Sequence, residues 1–245
     1  MFSSSNPLSN ADRIINASRS HVRETTGVVT VRSAATKAVA LTAICLVGAI
    51  LAYGNAGINP ALLLGSIVIS LIAYFVGMFV PSVAFVCAPV YALSEGVYLG
   101  VISAFVDLKY GAGISSHALN GTICVAGVIF AGYASGVFKP GKKLYAFAAA
   151  AGGALCLCYL VNFALSFFGH NFTSIGDTSL LGFGINIVAI VVAAVYLLLD
   201  FDQLYRLEGN ADKRYEWVWS MGILATIVWL YVELLKLFAK LNSRD

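Results

Sequence analysis

The sequence predicts an all-α membrane protein, a polytopic bundle of about seven transmembrane helices with little else attached. Three observations predict it. Of the 245 residues, 60% are hydrophobic and only 11% charged, whereas soluble domains carry about 25% charged residues. So much apolar surface would drive a water-soluble chain of this length to associate. Seven apolar runs are each long enough to cross ~30 Å of hydrocarbon. The polar stretches between them are too short to fold as separate units, which leaves one membrane domain, 37–245, behind a polar arm, 1–36.

The arm is rich in Ser, Asn and Arg and has neither an apolar stretch nor a cleavage-site pattern. No secretory signal peptide is expected, and the first apolar run is expected to act as an uncleaved insertion signal. The runs fall at 38–56, 61–80, 82–106, 118–138, 144–168, 179–201 and 217–239. Breaks come at Gly54 to Pro60, at Pro81, at Gly111 to Gly113, at Pro140-Gly141 and at Gly209. Close helix packing is expected at Gly132-x-x-x-Gly136, at Ala148 to Gly153, and at Gly182 with Gly184. The five cysteines lie inside the apolar runs and read as small packing residues. Cys156-Leu157-Cys158 turns its thiols to different helix faces, and no Cys–His grouping suggests a metal site or a cofactor.

Orientation follows the basic residues. With the N-terminus cytoplasmic and seven spans, eleven of the fifteen Lys and Arg fall inside, in the arm, in the Lys139 to Lys143 loop and in the Arg206 to Arg214 loop. Lys109, Lys236, Lys240 and Arg244 are left outside. A multi-pass protein of the cell (plasma or inner) membrane is expected, with the lipid bilayer as its surroundings and no nucleic-acid partner, because no continuous basic face is present.

An ionisable side chain in hydrocarbon is costly unless paired, neutralised or hydrated, so each is a functional candidate by default. Here they are Glu95, Asp200, Asp202 and Glu233. No Lys or Arg occurs between Lys37 and Lys109 to neutralise them from the second or third helix. The carboxyls must then be partly protonated, in contact with water, or binding a cation. At 1.5 Å per residue, Glu95 lies ~20 Å and Glu233 ~24 Å from the cytoplasmic starts of their runs, while Asp200 and Asp202 end the sixth run near the cytoplasmic face. Each also has a plainer reading. Asp202 has Arg206 at i+4, a surface pair worth a few tenths of a kcal/mol. Glu233 has Lys236 at i+3 and could snorkel toward the interface. Asp200 and Glu95 have no such local partner.

The stretch Leu199-Asp200-Phe201-Asp202-Gln203, then Tyr215-Glu216-Trp217, and Trp229 through Lys236 resemble the C-terminal signature of the Bax inhibitor-1-like family. Ala88-Pro89-Val90-Tyr91-Ala92-Leu93-Ser94-Glu95-Gly96 is similar to the third-helix motif of a bacterial branch of that family, which Asn6-Pro7 also fits. The resemblance implies a pH-sensitive calcium leak in which an acid on the sixth helix pairs with one on the seventh. Those positions fall on Asp200 (or Asp202) and on Glu233. The Asp200–Glu233 spacing exceeds the family's by about two helical turns, and the second-helix Arg of some members is absent. Depth instead makes Glu95 the partner of Glu233.

Three functions are therefore expected to compete. They are a pH-sensitive cation (calcium) leak gated by these carboxyls, a proton/cation exchanger using the same groups, and a non-transporting regulator bound to another membrane protein. Catalysis is not expected. Ser174-Ile175-Gly176-Asp177 is similar to the Gly-x-Gly-Asp of intramembrane aspartyl proteases, but Ser174 replaces the first Gly and Asp177 precedes the helix. His21 lies in the arm and His117 and His170 in external loops, and no nucleophile or nucleotide motif stands out.

Overall fold

The computed structural model describes residues 27–55, 60–166 and 179–243. The arm up to residue 26, with His21 and Asn6-Pro7, lies outside them, as do His170, the Ser174 to Asp177 stretch and Arg244. Seven helices account for nearly everything described: α1 Val31–Asn55, α2 Pro60–Phe79, α3 Ala84–Tyr110, α4 Ile114–Ala134, α5 Lys142–Ser166, α6 Leu180–Leu207 and α7 Tyr215–Asn242. All are long and apolar enough to cross a membrane. A helix satisfies its own backbone, which is what hydrocarbon requires of any spanning segment. The chain is a multi-pass membrane protein with an all-α fold.

The helices overrun their apolar cores. Helix α1 starts at Val31, ahead of residue 38, and α6 continues past 201 to Leu207. Backbone hydrogen bonding carries on where polar side chains leave the hydrocarbon. Helix α7 runs unbroken for 28 residues, ~42 Å, so it has no place for a re-entrant turn.

The core gathers on α7, which packs against α1, α2, α3, α4 and α6. Half of its membrane window is buried (50%), against 11% for α5. Helix α5 leans on α6 alone among its backbone neighbours. There the Tyr196 ring lies against Gly152, and its hydroxyl donates to the Ala148 carbonyl at 3.2 Å. The small-residue stretch Ala148 to Gly153 thus does what its composition suggests.

Gly132, Gly136 and Gly184 do not. Gly136 sits at φ 73° just beyond the end of α4, where it terminates the helix. Gly132 meets the ring of Phe138 in the following turn, and Gly184 touches nothing. The closest approach is between α1 and α3, at Gly96-x-x-x-Gly100. A Cβ on Gly96 would collide with the Cys45 carbonyl, and one on Gly100 with the Ala49 carbonyl, while Gly48 of α1 faces the Leu93 carbonyl.

At one end of the bundle the segment before α1 is strapped to the α6–α7 turn. Val28 bridges Asp212, Val29 N–H donates to Ala211 O at 3.0 Å, and Gly209 N–H donates to Val29 O at 3.0 Å.

Candidate functional site

The four expected carboxyls occupy distinct environments. Asp202 is buried between α4, α5 and α6. Its carboxylate accepts from Tyr133 Oη (3.2 Å), Tyr145 Oη (2.6 Å) and Arg206 Nε (2.5 Å). The i+4 pair with Arg206 is present as expected. It is not the expected surface pair, because two tyrosines from neighbouring helices complete the shell and leave the Asp202 side chain 10% exposed. The arrangement fastens α4 and α5 to α6.

Asp200 faces the opposite way, into the bundle. Its Oδ2 accepts from Thr226 Oγ1 of α7 at 2.6 Å, and Tyr74 of α2 lies within its electrostatic range. Two residues apart on one helix, Asp200 and Asp202 point to different sides, and only Asp200 addresses α7.

Glu233 is buried and held by three donors. Tyr159 Oη of α5 (2.9 Å) and Lys236 Nζ (2.5 Å) meet Oε1, and Asn186 Nδ2 of α6 (2.8 Å) meets Oε2. Of the two readings of Glu233, the outward-snorkelling one does not hold. The carboxylate stays inside because two neighbouring helices supply donors, and Lys236 folds inward to reach it. Asn186 Nδ2 also donates to the Glu233 carbonyl, while its buried Oδ1 makes no hydrogen bond among the described residues.

Glu95 is half-buried on α3, against the hydroxyl of Ser70 on α2. One turn to one side stands Tyr91, whose ring packs on Tyr74 with centroids 5.4 Å apart. Nearly one turn to the other stands Tyr98, within electrostatic range of both Glu95 and Glu233. No two of the four carboxyls share a hydrogen bond. Three tyrosines stand near them: Tyr74 within electrostatic range of Asp200, Tyr91 within that of Glu95, and Tyr98 within that of both Glu95 and Glu233. Among the described residues neither Asp200 nor Glu95 has a basic partner. No cluster of three or more His, Cys, Asp or Glu there could hold a metal ion.

Sequence reasoning passed over three buried charges. Glu216, fully buried at the start of α7, accepts from the Lys37 ammonium, from Ser33 Oγ (2.6 Å) and from Thr30 N–H (3.0 Å). In the sequence Glu216 appeared only within the Tyr215-Glu216-Trp217 resemblance, as an acid at the start of an apolar run. Asp107, near the end of α3, accepts from Tyr53 Oη (2.9 Å), Ser115 N–H (2.8 Å) and Ser115 Oγ (2.5 Å). It lies just past the third apolar run, 82–106. Lys240 is 2% exposed and donates to the Gly182 carbonyl at 2.8 Å.

The sequence model described as Bax inhibitor 1 like matches residues 6–243, which takes in every helix and all of these carboxyls. The chain belongs to the Bax inhibitor 1-like family. No curated protein sequence matches it. Of the two acids on α6, Asp200 faces α7 and Asp202 turns away from it. The partner that Asp200 meets on α7 is Thr226 rather than Glu233. Thr226 lies seven positions, about two helical turns, before Glu233. In this Bax inhibitor 1-like chain the α7 group that meets Asp200 is therefore a hydroxyl.

Proposed function

We propose that this protein is a pH-sensitive cation leak, with calcium as the favoured ion, and that Asp200, Glu95 and Glu233 mark its path. The observation that carries this reading is that Asp200 and Glu95, carboxyls on apolar spanning helices, have no basic partner among the described residues. Spaced single carboxyls suit passage, because a conducting site must bind well enough to admit an ion and weakly enough to release it. A converging cluster would retain the ion. Asp202, tied to Arg206 and two tyrosines, serves the framework in this reading. We place the N-terminus in the cytoplasm of a cell (plasma or inner) membrane on the distribution of basic residues. Reporter fusions after Arg32, within Lys139 to Lys143 and after Arg244 test this, the last being expected to report from the outside.

Deprotonating Asp200 leaves a negative charge facing Tyr74 and Thr226 with no counter-ion, so the ionised site draws in water and a cation. Calcium flux into liposomes carrying a calcium dye is therefore expected to rise severalfold between about pH 6 and pH 8. Asp200→Asn is expected to flatten that response while leaving the protein folded. Flux equal to that of protein-free liposomes at every pH would rule out transport altogether.

Tyr98, within electrostatic range of both Glu95 and Glu233, favours one second reading, a proton/cation exchanger in which tyrosine hydroxyls relay protons. Calcium flux that stops when no opposing proton gradient can form would select it over the leak.

A further inference from the structure

The cleft between α5, α6 and α7 has a volume of about 640 Å³, within the ~300–1,000 Å³ usual for small-molecule sites. Its walls are apolar and aromatic. Trp229 and Tyr196 meet edge to face with centroids 5.8 Å apart, and Leu155 of α5 lies across from them. Its polar end is the Glu233 carboxylate. There the Lys236 ammonium sits 2.5 Å from Glu233 Oε1 and 5.0 Å from the centre of the Tyr159 ring. A carboxylate beside an aromatic face is how proteins hold organic ammonium ions. In this cleft the chain's own lysine occupies that position.

The two charged partners are not held equally. Glu233 keeps two further donors, Tyr159 Oη and Asn186 Nδ2, and its side chain is 2% exposed. Among the described residues Lys236 has only the carboxylate and the ring, and its side chain is 14% exposed. It stands six residues before the end of α7, on a flexible stem that can carry its charge out toward the interface. Lysine is therefore the partner that leaves, and what it leaves behind is negative. The vacated site calls for a cation, not an anion.

We infer that this cleft binds an amphiphilic organic ammonium ion. Its head replaces the Lys236 ammonium on Glu233 and Tyr159, and its apolar body lies against Leu155, Tyr196 and Trp229. Binding requires neither calcium nor conduction, so the inference stands apart from the leak reading.

The test measures saturable binding of tritiated benzyltriethylammonium to the full chain in phosphatidylcholine nanodiscs, without calcium. Lys236→Gln is expected to tighten binding severalfold, because the ligand no longer competes with a tethered ammonium, whereas Lys236→Arg is expected to restore the competition. Glu233→Gln is expected to weaken binding by an order of magnitude. Should that variant fail to fold, the gain expected from Lys236→Gln still decides the matter. The uncharged isostere (2,2-diethylbutyl)benzene is expected not to compete. Equal competition by it would reduce the site to an apolar cleft and overturn the proposal. Competition by benzylsulfonate, or a Lys236→Gln variant that binds no more tightly than the parent, would overturn it as well. A protein that binds ammonium but passes no calcium sinks only the leak.

Discussion

Glu216→Ala is expected to cost about 3–5 kcal/mol of stability, the range for removing one partner of a buried ion pair. The carboxylate accepts from three donors at the entry to α1, namely the N–H of Thr30 just before the helix, and Ser33 Oγ and the Lys37 ammonium within it. Removing it leaves those donors without their acceptor and the lysine charge without its partner. Ser220 stitches the same junction, its hydroxyl donating to the Ala34 carbonyl at 2.9 Å. Lys37 is left with the Trp217 ring, 5.1 Å from its ammonium to the ring centre, and a cation–π contact at a partly exposed site is worth only about 1 kcal/mol. Thermal unfolding in detergent, followed by loss of the monodisperse peak, measures the effect. A double variant, Lys37→Met with Glu216→Leu, is expected to regain much of the loss, because an apolar pair carries no stranded charge. If Glu216→Ala melts with the parent protein, the junction is not held by this carboxylate.

Gly96→Leu is expected to be nearly as damaging. A Cβ at this position already collides with the Cys45 carbonyl, a backbone atom that cannot rotate away. Helices α1 and α3 must separate or shift in register to admit any side chain. Overpacking of this kind costs about 1–3 kcal/mol for modest insertions, so Gly96→Ala should fall in that range and Gly96→Leu at or beyond its upper end. The displacement would also move Glu95, the adjacent residue, and with it the middle of the proposed path. Gly184→Ala is the matched control, since a Cβ there meets nothing within 4 Å, and a change within about 0.5 kcal/mol is expected of it. Equal melting temperatures for the Gly96 and Gly184 variants would mean that α1 and α3 are not in tight contact.

Much of this protein is legible without coordinates. Hydrocarbon admits a polypeptide only if its backbone is satisfied within each segment, so seven apolar runs become seven helices regardless of how they pack. Local pairs are legible for a related reason. Positions three and four apart share a helix face, and both Lys236 with Glu233 and Arg206 with Asp202 appear where that spacing puts them. The third helix's Glu95 and the sixth's Asp200 are marked by composition alone, as acids with no basic residue near them in sequence.

What composition leaves open is direction. An apolar helix in lipid has no strong amphipathic stripe to declare its inner face, so the sequence did not say that Asp200 turns toward Thr226 while Asp202, two residues on, turns toward Tyr133 and Tyr145. Nor did it say that Gly96 and Gly100 mark the tight interface in place of Gly132 and Gly136. A small-residue repeat permits close approach, and only the opposing helix decides which one is used. The Lys37–Glu216 pair joins residues 179 positions apart, beyond the reach of any local pattern. The sequence by itself determined the spans, the family pattern and the inventory of buried charge, because the solvent imposes these on each segment separately. The tertiary structure alone decided which charges meet, since a buried carboxylate takes its donors from whichever helices the packing brings beside it.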